Sequence, residues 1–107
     1  MSPRRAGYRM TADSFADLRG IAAYIGQDRP SAARRVLQAL RETFRRISAN
    51  PQVGTSCDEM EPGLRCFTAK SPAQRYVILF RPGDSGRVEI VAVLDGAQDW
   101  PSLLGGR

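Results

Sequence analysis

The side chains that could handle charge in a reaction are almost all cationic. Arg65, Lys70, Arg75 and Arg81 follow one another in the second half of the chain. Guanidinium and ammonium groups could hold a phosphodiester and stabilise the charge that builds on it during cleavage. Cutting RNA without a metal also requires a group that takes the proton of the 2′-hydroxyl and one that protonates the leaving oxygen. The chain has no histidine, which removes the usual base of near-neutral pKa and excludes Ser-His-Asp and Cys-His nucleophiles. No tyrosine follows Tyr76, and Trp100 has no acidic proton to give. The cations can grip an anion, but the acid–base half of the chemistry is missing. Cys57 and Cys66 form no CxxC and have no histidine beside them, so a tetrahedral zinc site is not expected. They read as reduced, partly buried thiols. No metal or cofactor is implied.

Length and composition fit one soluble domain over 107 residues, with 1–6 and 101–107 as flexible tails and 1–5 as a basic leader. Sixteen Lys and Arg against eleven Asp and Glu give a net charge of +5, and Lys70 is the single lysine. Such a chain suits nucleic acid or an acidic protein. No apolar run approaches the ~18 residues of a membrane span. The first residues, MSPRRAGYRM, lack the apolar segment of a secretory signal. A cytoplasmic protein is expected.

These residues need elements to position them. Gly7 to Thr11 reads as a short strand, and Thr11 or Asp13 can cap the helix that follows. Phe15, Leu18, Ala22 and Ile25, with Ile21 beside them, form one apolar stripe to about Gly26. Ser31 is the cap candidate for a second helix, with Ala33, Val36, Leu37, Leu40, Phe44 and Ile47 as its stripe. Asn50-Pro51 ends it. Arg34, Gln38, Arg41 and Arg45 face solvent, and Glu42 can pair with Arg46. Residues 51–63 form a loop with an acidic cluster at Asp58, Glu59 and Glu61, read as loop solvation. Leu64 to Ala69 is a strand, and Lys70 to Gln74 a turn.

Arg75 to Leu94 reads as a hairpin around Pro82-Gly83-Asp84-Ser85-Gly86. With Arg81 opposite Arg87 and no bulge, Tyr76, Ile78 and Phe80 share a face with Val88, Ile90 and Ala92. The helical hairpin covers that face. The other face carries Arg75, Val77, Leu79 and Arg81 beside Arg87, Glu89, Val91 and Val93. Its four aliphatic residues, Val77, Leu79, Val91 and Val93, want a partner. The expected fold class is α+β in two layers: an N-terminal strand, a helical hairpin, then a three-stranded antiparallel meander, all in one small sheet. Short terminal strands leave a sheet edge open to partners.

Three stretches, YRMTADSFADLRGIAAYI, NPQVGTSCDEMEPGLRCF and RYVILFRPGDSGRVEIVAVLDGAQDW, cover about residues 8–100 and carry a resemblance. Asn50-Pro51 with Gly54, Pro62-Gly63-Leu64-Arg65, Tyr76-Val77-Ile78 with Phe80-Arg81, and Val93-Leu94 with Gly96-Ala97 and Asp99 are its sharpest parts. Together they resemble the RelE/ParE superfamily of type II, plasmid-stabilisation toxins, and look more like the ParE branch. Two positions depart from the ParE-like pattern: Asp95 stands where a histidine is common, and Gln98 where an arginine is common.

The resemblance implies a toxin that inhibits DNA gyrase, and so replication, by binding rather than by chemistry of its own. A cognate antitoxin would neutralise it in a hetero-oligomer, reaching operator DNA only through the antitoxin. A RelE-like, ribosome-dependent mRNA endoribonuclease and a non-toxic antitoxin-binding module are the alternatives. Target-contact candidates are Arg65, Lys70, Arg75, Arg81, Arg87 and Trp100. Antitoxin-contact candidates are Val77, Leu79, Val91 and Val93. Against these stand plainer readings: an Arg81 or Arg87 salt bridge with Glu89, a solvated row at Arg34, Arg41 and Arg45, and Trp100 packing the tail back onto the fold.

Overall fold

The computed structural model describes residues 7–100. The basic leader, both expected tails, and Leu103 and Leu104 lie outside the described residues. Strand β1 (Tyr8–Met10) leads into helices α1 (Ala12–Gly26) and α2 (Pro30–Ala49). Strands β2 (Thr55–Ser56), β3 (Arg65–Thr68), β4 (Tyr76–Pro82) and β5 (Val88–Asp95) follow. The sheet order is β1-β5-β4-β3-β2, with β1 parallel to β5 and the other pairs antiparallel. The two-layer α+β class is as expected, while β2 adds a fifth strand. No helix among the described residues is long and apolar enough to cross a membrane.

Thr11 is the cap of α1: its hydroxyl accepts from the Ser14 amide at 3.1 Å. The buried stripe of α1 differs from the apolar count. Ser14 and Leu18 are buried, Ile21 and Ile25 pack against the core, and Phe15 is 54% exposed. The cause is the edge of β5. Strand β1 runs out at Met10, leaving polar groups of β5 beyond Ile90 to be satisfied. The Thr11 hydroxyl donates to the Val91 carbonyl, and the Val93 amide donates to an Asp17 carboxylate oxygen at 2.9 Å. The inward side of α1 therefore carries polar residues, and Phe15 is turned out.

Helix α2 starts one residue before the expected cap. Pro30 occupies its first turn and Arg29 the cap position, so Ser31 lies inside the helix. Val36, Leu40, Phe44 and Ile47 are buried as expected. They pack on Tyr76, Ile78, Phe80, Val88 and Ile90 from the sheet, each fully covered aliphatic or aromatic side chain stabilising by about 1.5–3 kcal/mol. Glu42 does not pair with Arg46. It pairs with Lys70 at 2.9 Å and accepts from Gln38, while Arg46 lies over the Phe67 ring.

The hairpin register also differs. Arg81 faces Glu89, not Arg87, and a bulge falls where Leu79 pairs with Ala92 while Phe80 pairs with Ile90. Val91 is the extra residue, and everything after it is turned over. Val93 enters the core under the helices, and Ala92 joins Leu79, Val91 and Leu94 on the opposite face. That face is not open. Cys57 and Leu64 complete a second apolar cluster there, with Met60, Cys66, Val77 and Trp100 packed at its margin.

Candidate functional site

Four of the sheet-side cations, Arg65, Lys70, Arg75 and Arg81, are held by the fold. Arg65 rises from β3 opposite Phe80. Its Nε donates to the Val53 carbonyl at 3.1 Å, and one terminal nitrogen donates to the carbonyls of Gln52 and Gly54 at 2.7 and 3.0 Å. It clamps the loop that leaves α2. Gly54 lies in that loop at φ +82, and a Cβ on it would sit 2.1 Å from the Cys66 carbonyl oxygen, so only glycine lets β2 approach β3. Arg81 donates to Glu89 at 2.8 Å and to Glu61 at 2.7 Å. The acidic loop is thus partly an anchor: Glu61 binds Arg81, and an Asp58 carboxylate oxygen accepts from the Gly63 amide. Arg65 and Arg81 both border a cleft of about 200 Å3, yet their donors point into carbonyls and carboxylates of the chain itself.

Lys70 is spent on Glu42, and Arg75 on Asp95. Asp95 organises the exit of β5. One of its oxygens accepts from the Ala97 amide and the other from Arg75, while the Gly96 amide donates to the Arg75 carbonyl. The Ala97 N–H first, and then Arg75, hold the Asp95 carboxyl below the usual aspartate range. Asp95 is therefore a local structural group. Its chain spacing to Arg75 was visible, but its double acceptor role needed the strand register. Of the six target-contact candidates, Arg87 alone is exposed without an ion-pair partner among the described residues. Trp100 is half-buried against the second apolar cluster.

The antitoxin-contact candidates do not form an open strip. Leu79 is fully buried, Val91 is 8% exposed, and Val93 lies in the helix-side core. Val77 remains accessible in a shallow groove of about 540 Å3 lined by Thr68, Gln74, Arg75 and Asp95–Ala97. Sequence reasoning missed the exposed aromatics of α1, Phe15 and Tyr24, the latter 71% exposed. Tyr24 lies outside the apolar stripe read from the sequence, which is a signal for its exposure, whereas Phe15 was counted within that stripe.

Cys57 offers no nucleophile. Burial, then the hydrogen bond and charge of the neighbouring Cys66 thiol, push Cys57 up to about 12, leaving almost no thiolate near neutrality.

Comparison with known proteins places this arrangement. The family described as ParE toxin of type II toxin-antitoxin system, parDE, matches residues 8–100. Two curated relatives, each named Toxin ParE1, come from Mycobacterium tuberculosis strains CDC 1551 / Oshkosh and ATCC 25618 / H37Rv. Each is 33% identical over 67 residues, a stretch covering 63% of this chain and 64% of the relative. The chain thus spans just under two thirds of the length of those relatives. A solved chain of the chromosomal ParDE TA system from P. aeruginosa shares the fold with a TM-score of 0.68, at 19% identity, over 84% of this chain and 95% of that one.

Proposed function

The chain belongs to the ParE toxin family of type II toxin–antitoxin systems, and from that premise we propose that it acts as a toxin by binding DNA gyrase and stalling replication. A cognate antitoxin silences it in a hetero-oligomer and carries the pair to operator DNA. The observation that carries binding over catalysis is the commitment of the sheet cations. Arg65 grips three backbone carbonyls, and Arg81, Arg75 and Lys70 hold carboxylates. A ribonuclease of this size would need such groups free for phosphate, and this chain lacks histidine, the usual base of near-neutral pKa.

The antitoxin contact is proposed at the groove beside Val77 and the outer edge of β3. There β2 covers only Cys66 and Arg65, leaving Phe67 and Thr68 at the rim of the sheet. An extended segment could add there through main-chain hydrogen bonds.

The test is pulse-labelling of DNA and protein synthesis immediately after induction without antitoxin. Early loss of DNA synthesis with translation intact is expected, followed by accumulation of cleaved DNA when purified gyrase is mixed with the chain. Early loss of translation would overturn the reading in favour of mRNA cleavage. Unchanged synthesis of both, with soluble folded protein present, would overturn it in favour of a non-toxic antitoxin-binding module.

A further inference from the structure

A cluster of exposed arginines lies on the helical layer. Arg34, Arg41 and Arg45 stand on the outer side of α2 at spacings of seven and four, with Arg35 and Arg46 on the adjoining row. All five are exposed, and none has an ion-pair partner among the described residues. The one acidic residue of α2, Glu42, is tied to Lys70 and Gln38. The rise of an α-helix puts Arg34 and Arg41 about 10 Å apart and Arg41 and Arg45 about 6 Å apart, a straight row of about 16 Å.

We propose that the outer face of α2 is a docking surface for the phosphate backbone of duplex DNA. This surface is separate from the proposed antitoxin contact, because it lies on the opposite layer of the molecule from the Val77 groove. Two features favour DNA over a protein. Protein interfaces are built around an apolar core with aromatic anchors, whereas Ser31, Arg34, Gln38, Arg41 and Arg45 offer none. The exposed large apolar side chains, Phe15 and Tyr24, are on α1. The row is rigid and straight, as is a duplex that presents a phosphate about every 3.4 Å of axis on each strand. Single-stranded RNA is gripped by stacking on exposed aromatics, and duplex RNA by contacts to its 2′-hydroxyls. The α2 face has no exposed aromatic side chain, and its one amide, Gln38, is bonded to Glu42.

The test is fluorescence anisotropy of a 20-base-pair, fluorescein-labelled DNA duplex of mixed sequence, titrated with the full chain between 50 and 200 mM NaCl. Binding that weakens steeply with salt is expected. R34Q/R41Q/R45Q should make the slope of log K against log salt shallower by about 2.7, since each phosphate contact contributes about 0.9. At 50 mM it should weaken binding at least about tenfold. R9Q/R19Q/R87Q removes the same charge elsewhere and should leave the slope within about one of the original. Far-UV circular dichroism confirms that both variants are folded. Equal loss in both variants would overturn the proposal in favour of undirected net charge. So would absence of binding at 50 mM, tighter binding of a duplex RNA of equal length, or an α2-dependent affinity for poly-glutamate matching that for DNA.

Discussion

Four cations around the sheet and five arginines on the outer side of α2 bear the same charge and meet opposite fates. Arg65, Lys70, Arg75 and Arg81 hold carbonyls and carboxylates within the fold. Arg34, Arg35, Arg41, Arg45 and Arg46 have no such carboxylate partner among the described residues. A cation on a strand lies beside cross-strand residues and loops that can answer it. A cation on the solvent side of a helix meets mainly its neighbours three and four residues away, and on α2 the single carboxylate among these, Glu42, is tied to Lys70 and Gln38. Residue type alone therefore does not identify a free binding group.

Substitutions can break or sharpen this contrast. The largest effect should come from the backbone approach that Arg65 clamps. Gly54→Ala meets both a positive φ and a carbonyl oxygen 2.1 Å from its Cβ, and should destabilise by about 3 kcal/mol or more in urea unfolding. Arg65→Ala releases three carbonyls and should cost about 2 kcal/mol. Arg65→Lys should recover less than half of this, because a single ammonium does not reproduce the fork. A loss under about 0.5 kcal/mol for Arg65→Ala would return Arg65 to the list of free groups.

Arg81→Ala is expected to cost about 1 kcal/mol, as its pairs are partly exposed. A double-mutant cycle with Glu61→Gln should show positive coupling. Asp95 should be read through pH. Its folded-state pKa is lowered, so its contribution is present above the ordinary aspartate range and is lost as pH falls below it. The melting temperature of Asp95→Asn should fall less than that of the parent between pH 5 and 2.5. Identical curves would remove Asp95 from the anchoring set. At the small end, R34Q/R41Q/R45Q should change stability by no more than about 0.5 kcal/mol, and a slight gain from relieved repulsion is the expected sign. A larger loss would show that this row too is structural.

The two-layer plan was legible because it rests on periodicity: α2 carries apolar residues at helical spacing, and β4 and β5 alternate. What sequence left hidden were exchanges between distant residues. Nothing in VEIVAVLD marks Val91 as a bulge, yet that one extra residue moved Val93 from the expected partner face into the core. Phe15 looked inward because Ser14 and Asp17 were counted as polar. Their inward placement followed from where β1 stops along β5. Arg65 looked like a target contact, and the carbonyls that hold it lie more than ten residues earlier in a loop with no periodic signal. The aliphatic strip of Val77, Leu79, Val91 and Val93 looked open because the 57–64 loop that covers much of it has no strand or helix pattern to announce it.

The parallel pairing of β1 with β5 has a consequence for synthesis. The last of the five strands to be made is the one that sits between β1 and β4. Until residues 88–95 have left the ribosome, β1 has no sheet neighbour, and the edge of β4 that β5 will occupy is bare. Contacts of such long sequence separation form late. The sheet therefore closes only once β5, second in its order, has been made. A chain interrupted before Val88 would lack the strand on which both halves of the sheet are assembled. Any binding that needs the assembled sheet must therefore wait until β5 has been made.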